Sequence, residues 1–264
     1  MPKPLVALLT DFGTRDHYAA VLKGVVLAIN PEVQLIDLTH DLPPHQIAYA
    51  AMELAATYKY FPPGTIFLVV VDPGVGSARR GIAAEVGEWR FVAPDNGVLT
   101  AVFHEAPPRK VVELSERRYA RPTVSRTFEG RDRFAPAAGW LSKGVHLAAL
   151  GRTLTEYVLL DLPAPQIEGA TLTGTVIRID RFGNVITNLD RRSCERLTEG
   201  VGVLKLTVAG HAISRIVSTY AEIAEGEIAA LFGSTDQLEC AAHSASAAEQ
   251  LDVHVGDPVE LLRV

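Results

Sequence analysis

Apolar residues fall in short unbroken blocks through the first half of the chain and in close-set, broken blocks through the second. Residues 4–10 and 66–71 are nearly continuous apolar runs, the pattern of parallel strands buried on both faces, and 33–38 is a third strand. Between them Ala, Leu and Val repeat at helical spacing over 17–29 and over the alanine-rich 46–60. Asn30-Pro31 stops the first helix and Pro62-Pro63-Gly64 the second. Strand, helix, strand, helix, strand is the rhythm of a parallel sheet with crossover helices. Residues 81–86 and 89–93 read as a hairpin about Gly87-Glu88, 98–104 as a short helix and 110–114 as a strand. Hydrophobicity then falls through an arginine-rich segment, 115–133. A helix follows over 134–142, closed by Lys143-Gly144.

Residues 161–169 (DLPAPQIEG) hold two prolines and no periodicity, and read as a linker. Beyond them short β-rich runs come at 171–180, 185–188, 203–208, 213–217, 227–231, 238–242 and 258–263. Helical patterning returns only after Asp190 and near Ser246. Many short strands with turn signals predict a barrel or sandwich. The expected fold is an α/β, Rossmann-like N-terminal domain with a mostly parallel sheet (1–160), the linker, and an all-β, barrel-like C-terminal domain (170–264).

Composition agrees with two domains: 264 residues, 48% hydrophobic. A formal net charge of -6 argues against nucleic acid as a partner, because phosphate binding needs a basic face. Cys194 and Cys240 form neither a CxxC pair nor a zinc spacing. The first thirteen residues lack the features of a signal peptide, and no run approaches the roughly 18–20 apolar residues of a membrane span. A soluble cytoplasmic protein is expected.

Candidate chemistry sits where strands end, since open α/β sheets bind ligands beyond their carboxyl edges. In VVVDPGVGSARR, residues 69–80, Asp72 stands where the strand stops. Pro73 and Gly74 break it, Gly76 allows a tight turn, and Arg79 and Arg80 follow. The bland alternative is a capped turn with solvated arginines. Gly74-Val75-Gly76 is no dinucleotide fingerprint, because Arg79 stands where the third glycine belongs. There is no P-loop and no GxSxG elbow. His40 and His45 lack a third ligand, so no metal is expected. Asp11 and Asp16, after the first strand, can hold a ribose diol or an ammonium, and one of them is expected to cap the next helix. In the C-terminal half Asp180, Phe182 and Asn184 cluster. An Asn amide suits a purine edge, and Phe182 can stack on a base or simply pack.

TDFG at 10–13, VDPGVG with its arginine at 71–79, APDNG at 93–97, TFEGRD at 127–132, RFGNVITN at 181–188 and FGS at 232–234 stand in a telling order. The chain thereby resembles, over essentially its whole length, the S-adenosyl-L-methionine hydroxide adenosyltransferases, relatives of fluorinase and chlorinase. The resemblance implies a homotrimer, with S-adenosylmethionine bound between the N-terminal domain of one subunit and the C-terminal domain of the next. It implies hydrolysis of that substrate to adenosine and L-methionine, with no metal or other cofactor. Asp72 and Arg79 match catalytic residues, Asp11 the ribose-binding aspartate and Asp16 a residue facing the methionine end. Phe128, Asp180, Phe182 and Asn184 match substrate contacts, and Ser234 a serine near the methionine carboxylate. The family's third catalytic residue is a histidine in TFHGRD. Glu129 stands there in this chain, as a second acceptor or as a partner of Arg79. An arginine of the halogenases is Thr235 here. The rival readings are a non-catalytic S-adenosylmethionine or nucleoside-binding module, which Glu129 favours, and a halogenase. Carboxylates at 72 and 129 would repel a halide.

Overall fold

Alternation along the first apolar blocks explains the layers built around them. β1 (Leu5–Thr10) turns Val6 and Leu8 to one face and Ala7 and Leu9 to the other. β3 (Ile66–Val70) does the same with Ile66, Leu68 and Val70 against Phe67 and Val69. Both faces are dry, so every position except Thr10 is apolar and the run reads as continuous. Helices α1 (Tyr18–Ile29), α2 (Ile47–Thr57), α3 (Thr100–Glu105) and α4 (Ala135–Ser142) cover the sheet. Leu22, Val26, Ala138 and Leu141 of α1 and α4 pack with Val6 and Leu8. Ala50 and Leu54 of α2 and Val102 of α3 pack with Ala7 and Phe67.

The remaining strands of this unit are β2 (Gln34–Thr39), β4 (Gly81–Val86), β5 (Trp89–Pro94) and β6 (Lys110–Glu113). The sheet order is β2-β1-β3-β5-β4-β6, parallel except that β4 runs antiparallel to both β5 and β6. The mostly parallel α/β fold expected from the pattern is present, with most boundaries displaced by a residue or two. The helix expected over 46–60 ends at Thr57 and continues as a 3₁₀ turn, Tyr58–Tyr60. A π-turn, Gly130–Phe134, runs directly into α4.

The chain is described here by a computed structural model covering residues 3–198 and 204–264, in two units, 1–162 and 163–264. The second unit contains β7 (Gln166–Glu168), β8 (Thr171–Ile179), β9 (Val185–Asp190), β10 (Leu204–Val208), β11 (His211–Ile213), β12 (Ile228–Phe232), β13 (Gln237–Ala242) and β14 (Pro258–Arg263). Their order is β11-β10-β14-β8-β9-β13-β12, all antiparallel. Just past β11, Ile216 bridges to Ala230 of β12, so the sheet nearly closes into a barrel. Helices α5 (Arg191–Thr198) and α6 (Ala247–Leu251) lie where helical patterning returns, and Ser246 caps α6 by accepting from the Glu249 N–H.

Two expectations need correction. The linker over 161–169 contains a strand: β7 pairs with β8, but a three-residue alternation is too short to read. The strand expected over 213–217 comes earlier, as β11. Ala209 and Gly210 both take positive φ, 49° and 85°, the two-residue turn that returns β10 tightly into β11. Alanine is not a residue that announces such a turn. Val203, expected at the head of the β10 strand, lies outside the described residues. Among the described residues no helix is long and apolar enough to cross a membrane.

Candidate functional site

β3 delivers Asp72 two residues beyond its last paired position, and the APDNG turn holds that end in place. Asn96 Nδ2 donates to the Val71 carbonyl at 2.9 Å. Asp95, nearly fully buried, accepts from Arg80 Nε at 2.8 Å and from the Val158 N–H at 2.8 Å. Arg80 is therefore a structural tie rather than a solvated charge.

The glycine turn after Asp72 interlocks with TFEGRD. Gly76 sits at φ 77°, and a Cβ there would stand 2.2 Å from the Arg126 carbonyl oxygen, so only glycine fits. Arg126 Nη2 donates to the Gly76 carbonyl at 3.1 Å. The TFEGRD loop is fastened by Asp132, whose carboxylate is fully buried. Arg131 grips it with two hydrogen bonds, of 2.7 and 2.8 Å, and the Ser125 N–H adds one of 2.8 Å. Desolvation pushes the Asp132 pKa up, but these bonds outweigh it and hold the group below its ordinary value.

Between the two loops lies Arg79, with its guanidinium 5.3 Å from the Phe134 ring centroid and Nη1 donating to the Arg80 carbonyl. A single nitrogen, Nη2, donates to Asp72 Oδ2 at 2.5 Å and to Glu129 Oε2 at 2.8 Å. All three side chains are close to dry, Arg79 at 7%, Asp72 at 5% and Glu129 at 12% exposed. Asp72 Oδ1 is buried and accepts no hydrogen bond from any described residue. Desolvation raises the Asp72 pKa; Arg79 opposes the shift, while the charges of Glu129 and Asp11 add to it. The far oxygen of Glu129, Oε1, lies 3.6 Å from Arg133 Nε.

Asp72 and Glu129 line a cleft of about 280 Å³ together with Asp11, Phe12, Tyr18, His45 and Phe128, among others. Three of its rings pack edge-on or tilted: Tyr18 on Phe128 at 5.3 Å, Phe12 on Tyr18 at 5.8 Å and Phe12 on Phe128 at 6.0 Å between centroids. Asp11 Oδ2 accepts from the His45 N–H at 2.9 Å. The structure thus brings together Asp11, Asp72, Arg79, Phe128 and Glu129. Asp16 is exposed in the loop after β1 and does not figure among the described residues lining the cleft. Neither Asp11 nor Asp16 caps α1; its N-cap is His17, with no side-chain cap bond. The capping expectation fails because the helix starts at Tyr18, which puts His17 and neither aspartate at the N-cap position.

His45, Phe12 and Tyr18 are cleft residues that the sequence reading missed. His45 holds φ at 67°, a conformation unfavourable for a non-glycine residue, and this gives it a second signal besides its place in the cleft. His40, by contrast, is a buried framework residue. Its Nδ1 lies 2.8 Å from Thr10 Oγ1 and its Nε2 3.0 Å from Asp37 Oδ1. Among the described residues no group of three His, Cys, Asp or Glu could hold a metal ion.

In the C-terminal unit Asp180 organises its turn. Oδ1 accepts from the N–H groups of Phe182 and Asn184, both at 2.9 Å, and Oδ2 from Asn184 Nδ2 at 3.0 Å. Gly183, at φ 81°, packs its backbone against Ser246. The result is a rigid turn with Phe182 standing 76% exposed at its tip. Ser234 is exposed in the turn between β12 and β13, and Thr235 Oγ1 donates to Gln237 Oε1. Below that turn Glu239 is buried and accepts from the Tyr220 hydroxyl.

Known proteins resemble this arrangement along nearly the whole chain. Residues 6–151 match the SAM hydroxide adenosyltransferase N-terminal domain and residues 174–260 its C-terminal domain. An (R)-S-adenosyl-L-methionine hydrolase of Thermus thermophilus is 40% identical, with 97% of this chain and 99% of that protein aligned. One from Salinispora tropica is 36% identical, with 97% of each covered. A fluorinase of Nocardia brasiliensis is 28% identical over 98% of this chain and 97% of its own. The solved structure of an uncharacterized conserved protein from Thermotoga maritima superposes with a TM-score of 0.93 at 35% identity, covering 98% of this chain and 100% of the other.

Proposed function

The chain belongs to the SAM hydroxide adenosyltransferase family, and on that premise we propose that it hydrolyses S-adenosyl-L-methionine by attack of water at the ribose 5′ carbon, giving adenosine and L-methionine. The observation that carries the reading is Asp72: a buried carboxylate with one oxygen fixed by Arg79 and the other without a hydrogen bond, lining the cleft. Methionine departs from a sulfonium as a neutral thioether and needs no acid. The demand falls on water, which must be oriented and relieved of a proton as it attacks. Asp72 Oδ1 is the acceptor for that proton. Arg79 holds the carboxylate through its Oδ2 and keeps the turn rigid. Glu129 draws on the same guanidinium nitrogen and adds negative charge beside the site, which favours a sulfonium substrate. Asp11 takes the ribose diol, and Phe128 contributes an apolar wall. No step in this scheme calls on a metal or other cofactor.

Incubation with S-adenosylmethionine, resolved by chromatography, tests the reading against its rivals. Adenosine with equimolar methionine is expected. Recovery of unchanged substrate would make the protein a binding module. A halogenated adenosine in the presence of chloride or fluoride would make it a halogenase, against the repulsion of its two carboxylates.

The cleft supplies Asp11, Asp72, Phe128 and Glu129, with Arg79 bonded to the two carboxylates Asp72 and Glu129. A second set, Asp180, Phe182, Asn184 and Ser234, belongs to the C-terminal unit. We propose a homotrimer in which C-terminal residues of one copy complete the cleft of a neighbour, with exposed Phe182 against the adenine. Light scattering is expected to give three times the chain mass. A monomer with full activity would rule the assembly out, whereas Phe182→Ala is expected to raise KM by about tenfold, the worth of one lost stacking contact. A cytoplasmic location is part of the same proposal.

Glu129 is expected to show itself in the pH profile. Asp72 must be ionised to accept a proton, so activity falls as pH drops through its raised pKa. The charge of Glu129 is one cause of that rise. Glu129→Gln removes it and moves the acidic limb to lower pH. Glu129→His restores the residue of the family motif and is expected to keep activity within about tenfold of wild type. A Glu129→Gln profile superimposable on wild type, with equal maximal rate, would remove Glu129 from the site.

A further inference from the structure

Glu129 also borders a second, larger hollow, of about 900 Å³, which has no role in the proposed hydrolysis. Five arginines line it, Arg117, Arg118, Arg121, Arg126 and Arg133, against two acids, Glu116 and Glu129. This concentration of cations stands out in a chain of net charge -6. Little of its donor capacity is used. Arg118 and Arg121 are mostly exposed; the first lies 3.7 Å from Glu116, and the second stands 3.3 Å from an Asp132 carboxylate already gripped by Arg131. Arg126 spends one nitrogen on the Gly76 carbonyl. Arg133 Nε is buried and makes no hydrogen bond with a described residue; its ion-pair distance to Glu129, 3.6 Å, is too long for one. Arg133 is thus tied to Glu129 only loosely, by charge without a hydrogen bond.

We propose that this groove binds a short linear polyphosphate, and that the occupant and Glu129 compete for Arg133. Guanidinium forks match phosphate oxygens in pairs, and a row of them fits several linked phosphates better than one. The described residues lining the groove include no aromatic ring, so the recognition rests mainly on charge and on the phosphates. The same charges repel a cationic sulfonium, which separates this groove from the substrate cleft. Arg133 connects the two, with one end of its guanidinium group facing Glu129 and the side chain 38% exposed. By reciprocity of linked equilibria, an anion that draws Arg133 away loosens its hold on Glu129, and removing the Glu129 charge strengthens anion binding.

Calorimetric titration of the full-length protein with tripolyphosphate at about 0.15 M salt tests the proposal. Binding is expected, and to weaken about tenfold in Arg133→Gln and in the double variant Arg117→Gln/Arg118→Gln, whose exposed side chains take no part in the fold's core. Glu129→Gln is expected to bind at least threefold more tightly. ATP is expected to bind no better than tripolyphosphate, and sulfate at equal ionic strength to give no saturable heat. Affinity unchanged in all three variants would overturn the proposal, as would absence of binding or tenfold preference for ATP. The readout is binding, not turnover. A protein that failed to hydrolyse S-adenosylmethionine could still pass, and turnover in the Arg117/Arg118 variant is expected to equal wild type.

Discussion

Asp72→Asn is expected to leave the fold and substrate binding intact and to lower kcat by about 10²–10⁴-fold, the usual worth of a positioned general base. The reason is geometric as well as electrostatic. Arg79 Nη2 lies 2.5 Å from Asp72 Oδ2, so whatever occupies that position must accept a hydrogen bond. In the asparagine variant the amide oxygen takes it. The amide NH₂ is then turned into the place of Oδ1, a donor where the attacking water needs an acceptor. Shape hardly changes and Glu129 still holds Arg79, so KM for S-adenosylmethionine is expected to stay within a few-fold of wild type. Single-turnover kinetics with calorimetric binding would separate the two effects. A variant that binds substrate normally and turns over at the wild-type rate would show that the proton goes elsewhere.

That Asp72 stands at a strand end was legible from the run of apolar residues before it and the glycines after it. What the pattern could not show was how much of the neighbouring sequence exists to hold it there. APDNG reads as a turn; in the structure its Asn96 reaches back to the Val71 carbonyl and its Asp95 binds Arg80, so the turn fixes the end of β3. These bonds join residues 15 or more positions apart, beyond the reach of local periodicity. His45 lacks metal partners, and the features that bring it to the cleft, its positive φ and the bond from its N–H to Asp11, have no signature in residue type. Phe12 and Tyr18 carry no signal of their own in residue type, and only the packing of their rings onto Phe128 brings them to the cleft. Asp16 follows the same strand end as Asp11, yet it is exposed and outside the cleft walls, and a strand-end position alone does not distinguish the two. The C-terminal strands were legible as a class and not in their ends, since the turns that set their register use residues such as Ala209.

Arg79→Ala is expected to be nearly as damaging as the loss of Asp72, by about 10²–10³-fold in kcat/KM, and to differ from it in pH behaviour. In the native site one guanidinium nitrogen serves two nearly dry carboxylates. Without it two like charges face each other in a poorly solvated place, and the lowest-energy response is to take up a proton. Arg79 lowers the Asp72 pKa, whereas desolvation and the Glu129 charge raise it. Removing the arginine leaves only the raising influences, so the acidic limb moves to higher pH, and part of the lost activity returns in alkaline solution. Arg79→Lys is expected to fall between the two. Its single ammonium can lie near both carboxylates, but it cannot also reproduce the bond from Nη1 to the Arg80 carbonyl that orients the guanidinium. The shift in Arg79→Ala is opposite in sign to that expected of Glu129→Gln, and the opposition is the test. If the two variants moved the limb in the same direction, or if Arg79→Ala lost rate with its limb unmoved, the arginine would be a structural support of the turn and not the group that keeps Asp72 ionised.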